Sequence, residues 1–395
     1  MIPDLAIVGA GLAGSALAIR AAQAGRRVLL VERETGPHDK VCGEFLSREA
    51  VLHLHALGLD PLALGGVPID HVGLSRGRLA TRTRLPFSAV GLSRRILDEA
   101  LIVRAQACGA IVRRGVVVRA ISPPGSGQRL RLDRGDDIAA GSIVLATGKH
   151  ELRSHPRQPG RQNDLVGFKQ HLRLSDAQRA ALDGASELTL FPGGYAGLQM
   201  VSHHHASLCL LVRSARLKAL GGTWPALRDA ILAGSPLLAR RLSGAEPVQD
   251  RPLSIARIPY GLVSTLQDGL WRLGDQAAVI PSFTGDGMSI ALHSAAVCAR
   301  LIERGASPDA LQRALAADLS PQIRLATTLS RAAVRPWVQH AAVAAAHLLP
   351  ALADRIAART RIPEPALARA LGHAGAAPAP GTPAPATGLL ASSPS

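Results

Sequence analysis

A glycine-rich turn near the N-terminus constrains the fold of this chain more than any other feature. A short apolar run leads into Gly9, Gly11 and Gly14, which have the G-x-G-x-x-G spacing. An alanine-rich segment of helical composition follows, and residues 28–31 are predicted to form a second buried strand that ends at Glu32. This order of strand, turn, helix and strand is typical of a βαβ unit that binds a dinucleotide.

Each glycine of the turn has its own predicted role. Gly9 permits a tight turn, Gly11 lets backbone N–H groups approach a pyrophosphate, and Gly14 lets the helix pack on the strand. The start of the helix offers free N–H donors and a partial positive charge to the phosphates. Glu32 is placed to accept hydrogen bonds from the ribose hydroxyls of the adenosine. The predicted contacts in this unit are Gly9, Gly11, Leu12, Ala13, Gly14, Glu32 and Arg33.

Composition sets broad limits on the function. The 395 residues, 47% of them hydrophobic, can bury a large core, and we expect two lobes. No apolar run approaches the length of a membrane span and strand-like sequence begins at residue 5, so a cytoplasmic protein is expected. The four cysteines (Cys42, Cys108, Cys209 and Cys298) are too scattered for a disulfide framework or a metal site.

The net charge of +16 does not indicate a nucleic-acid partner. Only Lys40, Lys149, Lys169 and Lys218 are lysines, and the remaining basic residues are arginines spread along the chain. A nucleic-acid protein normally has a clustered basic stripe with aromatic residues for stacking, whereas aromatic residues are 3% of this chain. Residues 203–205 are consecutive histidines; on a predicted strand they would alternate faces, so we expect no metal there.

The order of segments favours an α/β fold. We expect a Rossmann-like cofactor-binding domain with a parallel sheet, assembled from discontinuous segments, an inserted antiparallel β-sheet substrate domain, and a C-terminal helical region. Residues 110–118 are predicted to form one strand. Because only one G-x-G-x-x-G is present, the sequence argues against a two-domain disulfide reductase with a separate NAD(P)H domain. The predicted division is 1–165 for the first part of the cofactor domain (with an excursion into the substrate domain at about 61–90), 166–262 for the substrate domain, 263–310 for the last part of the cofactor domain, 311–372 for C-terminal helices and 373–395 for a disordered tail.

A second cofactor pattern follows a predicted strand in the C-terminal half. Gly274 and Asp275 end that strand, where the carboxylate can accept hydrogen bonds from polyol hydroxyls. Pro281 and a glycine turn then start a new helix whose N-terminus can stabilise negative charge on a reduced flavin ring. Asp286 is also suited to cap this helix. The predicted contacts of the turn are Pro281, Gly285, Gly287 and Met288.

Together these motifs resemble FAD-dependent oxidoreductases of the p-hydroxybenzoate hydroxylase fold, within the branch related to geranylgeranyl reductase. A lysine-x-cysteine-glycine-glutamate segment of that branch is matched at 40–44, and an aromatic–proline–glycine–tyrosine element at 191–195. The resemblance spans roughly residues 3–300 and implies FAD as the cofactor. It implies that Glu32 binds the adenosine ribose and that Asp275 holds the ribityl and phosphate region. It also implies that Lys40 binds the cofactor, that Arg94 lies near the pyrophosphate or ribityl chain and that 285–288 sits beside the pyrimidine edge of the flavin.

Three residues are catalytic candidates under this resemblance. Cys42 lies near the flavin, where the cation of Lys40 could lower its pKa, although a free cysteine is often only a small hydrophobe. Glu44 is a candidate general acid or base, or else a salt-bridge partner for an arginine. Tyr195 belongs to the sheet that roofs the substrate cavity, where it donates a hydrogen bond to substrate or simply packs.

The sequence leaves three functions open. The first is an NAD(P)H-fed monooxygenase that hydroxylates a lipophilic aromatic or polyketide-type substrate. The second is a reductase that saturates prenyl double bonds, and the third is a non-catalytic flavin-binding redox sensor. A halogenase is disfavoured because the tryptophan-rich segment of that branch is missing. The apolar segment 336–350 is expected to be a helix packed on the cofactor domain, or else to line an entrance for a lipophilic substrate or touch a membrane surface. Membrane contact is therefore expected to be peripheral at most.

Overall fold

The computed structural model describes residues 2–122 and 128–372, so the predicted tail at 373–395 lies outside the described residues. The strands are β1 Leu5–Val8, β2 Val28–Val31, β3 Phe45–Leu46, β4 Val67–Arg76, β5 Leu79–Gly91, β6 Ile111–Arg113, β7 Val118–Ile121, β8 Arg129–Leu132, β9 Ile138–Ala139, β10 Ser142–Leu145, β11 Leu165–Arg173, β12 Ala185–Phe191, β13 Gly194–Met200, β14 Ala206–Arg213, β15 Glu246–Pro247, β16 Leu253–Ala256 and β17 Trp271–Arg272. The helices are α1 Leu12–Gln23, α2 Arg48–Ala56, α3 Arg94–Ala107, α4 Asp176–Leu182, α5 Ser214–Ala219, α6 Trp224–Gly234, α7 Pro236–Arg241, α8 Gly287–Glu303, α9 Pro308–Ala333, α10 Pro336–Leu348, α11 Pro350–Arg359 and α12 Glu364–Leu371.

A five-stranded parallel sheet forms the centre of the cofactor domain. Its strand order is β17-β10-β1-β2-β6, so neighbouring strands come from distant parts of the chain. Strands β1 and β2 are buried along their whole length, because both faces of the sheet are covered. Helices such as α1 and α8 pack on one face, and residues of β7 and β8 such as Ile121 and Leu130 pack on the other. The predicted assembly of this domain from discontinuous segments is confirmed. The carboxyl ends of β1, β10 and β17 lie side by side, and in such sheets ligands bind at this edge.

A nine-stranded sheet forms the second layer. Its order is β15-β11-β14-β13-β12-β4-β5-β3, and β16 also pairs with β11. The pairings are antiparallel except that of β12 with β4, which is parallel. Apolar side chains of α6 and α7, including Leu227, Ile231 and Leu238, pack with one group of its buried residues. Another buried group, which includes Tyr195 and Leu211, contacts Tyr260 and Val279.

Two local predictions are wrong. Residues 110–118 are not one strand, because the chain turns at Gly115, whose φ is +71°. The part before the turn, β6, joins the parallel sheet, and β7 begins a separate antiparallel sheet with β8 and β9. The three histidines lie in the bend between β13 and β14 rather than on a strand, where Ser202 accepts hydrogen bonds from the backbone N–H groups of His204 and His205. Within 2–122 and 128–372, no group of His, Cys, Asp or Glu side chains is arranged to hold a metal.

The C-terminal helices pack on both layers. Helix α12 contacts α8 and α2 in the cofactor domain, whereas α10 contacts β4, β5 and β12 of the nine-stranded sheet. The predicted C-terminal helical region is confirmed as α9 to α12. In the part of the chain that is described, no helix is both long and apolar enough to cross a bilayer.

Candidate functional site

A cavity of about 630 Å³ lies at the carboxyl ends of β1, β10 and β17, with β16 of the nine-stranded sheet on its other side. Most of the residues predicted from the sequence line it. Gly14, Pro281 and Tyr195 are not among its lining residues. The predicted residues that line it are Gly9, Gly11, Leu12, Ala13, Glu32, Arg33, Lys40, Cys42, Glu44, Arg94, Gly274, Asp275, Gly285, Gly287 and Met288.

The three motif glycines meet different surroundings. Gly9 has a φ of +102°, and a Cβ there would lie 2.6 Å from the carbonyl oxygen of Ala146 on the neighbouring strand segment. A Cβ on Gly14 would lie 1.9 Å from the carbonyl oxygen of Gly9, so this glycine allows α1 to pack against the turn. A Cβ on Gly11 would meet only the side-chain ends of Arg94 and Lys40, at 3.6 Å. Gly11 therefore opens the cavity, whereas Gly9 and Gly14 hold the fold.

Glu32 is fixed in the cavity wall by the turn that it faces. Its Oε2 accepts a hydrogen bond of 2.8 Å from the backbone N–H of Ala10, and its Oε1 accepts one of 3.1 Å from Glu34. The side chain is buried, yet each carboxylate oxygen retains a lone pair for a further donor. This arrangement suits a carboxylate that receives ribose hydroxyls. Arg33 lies beside it, with its guanidinium 3.0 Å from the imidazole of His150.

Two cations share one buried carboxylate next to Gly11. Arg94 donates to Asp98 in two hydrogen bonds of 2.8 and 2.9 Å, and the Lys40 ammonium lies 2.8 Å from the same carboxylate. Burial would lower the pKa of Arg94, but Asp98 raises it above its ordinary value. Burial would likewise raise the pKa of Asp98, but the two cations hold it low. The group keeps a net positive charge beside the open turn, which fits a pyrophosphate.

Asp98 was missed by the sequence analysis, and Lys40 was assigned a different neighbour. Asp98 lies four residues after Arg94 on α3, and this spacing places an acid and a base on one helix face. The spacing was therefore an available signal. Lys40 pairs with Asp98, whereas the thiol of Cys42 accepts the backbone N–H of Glu44 at 3.4 Å.

The second predicted cofactor pattern forms a turn and a helix start at the cavity. Gly285 has a φ of +74°, and a Cβ there would lie 2.5 Å from the ring of Phe45. Helix α8 begins two residues later, with Met288 in its first turn lining the cavity. Asp286 occupies the cap position but makes no side-chain cap, so that prediction is wrong. Its carboxylate instead accepts a hydrogen bond of 2.8 Å from Arg361.

Glu44 is the most tightly bound of the catalytic candidates. It is fully buried, adopts a φ of +63°, and pairs with Lys169 at 2.5 Å and with Nε2 of His171 at 2.7 Å. One oxygen also accepts the backbone N–H of Arg94 at 2.8 Å. Burial alone would raise the pKa of Glu44, but Lys169 and His171 overcome this and lower it. The expected salt-bridge partner was an arginine, and the structure has a lysine and a histidine instead.

Lys169 and His171 were not identified from the sequence. They lie two apart on β11, so both side chains leave the same face of the strand and meet Glu44. His171 also places Nδ1 3.3 Å from the amide of Gln249 and 3.7 Å from Asp39. The chain has only four lysines, and three of them lie in or bond to segment 40–44, so their rarity was an available signal. Lys40 belongs to the segment, Lys169 pairs with Glu44, and Lys149 donates a 2.6 Å hydrogen bond to the carbonyl of Val41.

Two tyrosines lie near the site, and only the one that sequence analysis missed lines the cavity. Tyr195 is buried on β13 with its ring edge-on to Phe283, at a centroid distance of 6.2 Å, and burial raises the pKa of its hydroxyl well above the ordinary value. Tyr260 lines the cavity, and its hydroxyl is 2.6 Å from that of Ser282. Burial raises the pKa of Tyr260 as well, so its hydroxyl stays protonated at neutral pH.

One cavity is lined by the cradle at Gly11, the paired cations, Glu32 and the N-terminus of α8, and these groups fit FAD. The glycine turn and the cations suit its phosphates, and the helix N-terminus suits its ring. A parallel sheet with this site at its carboxyl edge and an inserted sheet opposite defines an FAD-dependent oxidoreductase. The chain belongs to the pyridine nucleotide-disulphide oxidoreductase family, whose model matches residues 3–212. That range includes seven of the nine strands of the nine-stranded sheet, namely β3, β4, β5, β11, β12, β13 and all but the last residue of β14.

Similar proteins include two curated reductases and a solved halogenase. The menaquinone reductase of Mycobacterium tuberculosis (strain H37Rv) is 27% identical over 335 residues, 76% of each chain. The digeranylgeranylglycerophospholipid reductase 2 of Methanopyrus kandleri is 27% identical over 320 residues, 75% of each chain. The halogenase PltM in complex with phloroglucinol and FAD has a TM-score of 0.71 at 16% identity, covering 85% of this chain and 78% of PltM, and this likeness concerns the fold alone.

Proposed function

We propose that this flavoprotein reduces a carbon–carbon double bond in an isoprenoid substrate, with NAD(P)H as the reductant. The observation that carries the proposal is a buried cluster in which Lys169 and His171 bind Glu44, and Glu44 lines the cavity. The two curated reductases support it, because their names refer to isoprenoid quinones and isoprenoid lipids and each matches three quarters of this chain. FAD, when bound, supplies hydride to the substrate.

Saturation of a double bond adds one hydride and one proton, so the protein must hold a proton near the reacting carbon. His171 can carry that proton, and its 2.7 Å contact with Glu44 joins the imidazole to a carboxylate that lines the cavity. Lys169 keeps Glu44 ionised, so that the carboxylate can accept a proton from His171 and return to its charged state. Asp39 and Gln249 adjoin the far side of the imidazole, where the proton can be replaced.

The reaction can be tested with the FAD-loaded protein, NADPH or NADH, and menaquinone or a geranylgeranyl lipid as substrate. Under anaerobic conditions we expect a product that has gained two hydrogens, detected by mass spectrometry. A product that has gained one oxygen atom, formed only in air, would replace the proposal with hydroxylation, the first reaction that the sequence predicts. Oxidation and reduction of the flavin without any substrate turnover would contradict both reactions and favour the third function, a non-catalytic redox sensor.

The role of the cluster can be tested separately. We expect His171→Gln to slow product formation by roughly a hundredfold while the protein retains FAD, because a positioned proton donor typically contributes about that much. The matched control is His204→Gln, which removes an exposed imidazole from the bend after β13. Equal rates in the two variants, with FAD retained in both, would remove His171 from the reaction.

A further inference from the structure

Helix α10 exposes an apolar stripe along its outer face. Trp337, Ala341, Ala344 and Leu348 follow one another at intervals of four, three and four residues, so they lie on one side of the helix, and all four are exposed. Trp337 is 68% exposed and Leu348 is 73% exposed. We call these four residues the apolar stripe. Two large apolar side chains, Trp337 and Leu348, are thus exposed on one face with two alanines between them, and such an exposed apolar face marks a surface that meets a partner.

The opposite face of α10 is firmly packed, so the exposure does not result from a loosely attached helix. Gln339 is fully buried and donates hydrogen bonds of 2.7 Å to the carbonyls of Phe191 and Ala333. Its carbonyl oxygen accepts a hydrogen bond of 2.9 Å from Arg76. Val343, one turn further, is also buried. The helix therefore holds a fixed orientation on the nine-stranded sheet, with the apolar stripe facing outward.

The sequence around the apolar stripe is basic, and Arg335 comes two residues before Trp337. Residues 319–353 contain no Asp or Glu, although charged residues make up 19% of the chain. Arg324, Arg331 and Arg335 fall within this acid-free segment and are exposed. The turn between β4 and β5 adds exposed Arg78, next to the Arg76 that bonds Gln339. An apolar row with basic borders is complementary to a lipid surface that carries negative headgroups.

We propose that the apolar stripe docks this protein on an anionic membrane surface. Trp337 and Leu348 enter the boundary between headgroups and acyl chains, and the arginines pair with anionic headgroups. A second copy of the chain fits less well, because a symmetric contact at this face would bring like-charged arginines together. The contact is peripheral, in keeping with the absence of a spanning helix from the described residues. The proposal does not depend on which substrate the cavity takes.

The test uses flotation of the full-length FAD-loaded protein with two kinds of vesicle. One kind is phosphatidylcholine alone, and in the other about a third of the lipid is phosphatidylglycerol. We expect binding to the anionic vesicles only, with an affinity that falls as salt is added. The double variant Trp337→Ser/Leu348→Ser should bind roughly tenfold more weakly or worse, and so should Arg331→Gln/Arg335→Gln.

Ile111→Ser is the matched control, because Ile111 is 65% exposed on β6 of the cofactor domain, away from α10. It should bind vesicles like the wild type, and all variants should unfold at similar temperatures because every changed side chain is exposed. Equal binding to both kinds of vesicle would overturn the proposal. The proposal would also be overturned if Ile111→Ser weakened vesicle binding as much as Trp337→Ser/Leu348→Ser does. A dimer that forms through Trp337 and Leu348 and does not bind vesicles would overturn it too. None of these outcomes depends on enzymatic activity, so the proposed reaction can fail or succeed separately.

Discussion

Gly11 and Gly14 belong to one motif, and the structure separates their roles at the level of single atoms. A methyl group on Gly14 would collide with a backbone carbonyl, which has no freedom to move away. A methyl group on Gly11 would approach only two flexible cationic side chains. Gly14 is thus needed for the fold even without a cofactor, and Gly11 is needed where phosphate approaches the backbone.

This difference predicts opposite behaviour for two alanine variants. Gly14→Ala should destabilise the apoprotein by about 3 kcal/mol or more, because overpacking against backbone forces α1 away from β1. Gly11→Ala should leave the apoprotein near wild-type stability and weaken FAD binding by roughly tenfold or more, because the methyl group fills the phosphate cradle. Denaturant unfolding without FAD and fluorescence titration with FAD measure the two effects. Equal stability of the two apoproteins would contradict this separation.

Residue spacing in the sequence predicted the cavity residues of the cofactor domain but not the residues of the nine-stranded sheet that bind Glu44. Glycine spacing and a strand-end acid are local patterns, so Gly9, Gly11 and Glu32 were identifiable without a structure. The partners of Glu44 were not, because Lys169 is 125 residues away and reaches it only through the pairing of β11 in the second sheet. The strand itself gave little sign of that contact, because Gln170 and Arg173 of β11 are polar as well as Lys169 and His171.

At the scale of the element, Gln339 fixes α10 to the turn between β12 and β13. Replacing it with leucine would leave the carbonyls of Phe191 and Ala333 and the guanidinium of Arg76 without their buried partner. We expect Gln339→Leu to cost about 2–4 kcal/mol and to speed hydrogen exchange along α10. Gln322→Leu is the matched control on α9, because that buried amide has no partner among the described residues and its loss should be near neutral. Equal destabilisation by both changes would show that burial, not hydrogen bonding, fixes the helix.

The element-scale predictions succeeded where one signal dominated. An amphipathic pattern predicts a helix over residues 93–108 that ends at Gly109, and α3 spans Arg94–Ala107, with Ser93 capping its start. The strand expected at 110–118 failed because its apolar residues continue through Gly115, where the backbone turns and the two halves join different sheets. The prediction that the three histidines lie on a strand is wrong for a related reason. The chain bends there, and Ser202 stabilises the bend by accepting hydrogen bonds from two backbone N–H groups.

At the scale of the whole molecule, the C-terminal segment is tied to the cofactor cavity through one buried pair. Arg361, between α11 and α12, bonds Asp286, which lies between the two cavity-lining glycines at the start of α8. The same guanidinium lies 3.9 Å from Glu49 on α2 and 4.3 Å from the ring centre of Phe87 on β5. These partners are distant in sequence, so neither glycine spacing nor helix periodicity could have revealed the link.

The Asp286 pair makes the stability of the protein depend on pH in a defined direction. Burial raises the pKa of Asp286 from 3.8 to about 7, with Arg361 opposing the rise and Glu49 adding to it. Between those two pH values the folded state holds a proton that the unfolded state has lost, so this group's contribution to stability falls as pH rises from about 4 to about 7 and is then constant. Asp286→Asn cannot ionise and lacks this fall. Its stability relative to wild type should therefore increase across that range by an amount on the order of 1.4 kcal/mol per unit of pKa shift.

Denaturant unfolding of the wild type and Asp286→Asn at a series of pH values measures the difference in their free energies of unfolding. A comparison at a single pH would not suffice, because loss of the partner of Arg361 adds a constant cost to the variant. Arg361→Gln provides the matched control. Without the cation the carboxyl of Asp286 is harder to ionise, so the fall in stability should continue to higher pH than in the wild type. Parallel pH profiles for wild type and Asp286→Asn would mean that Asp286 ionises as easily in the folded protein as in the unfolded chain. In that case the Asp286–Arg361 pair would attach the C-terminal segment without making the stability of the protein depend on pH.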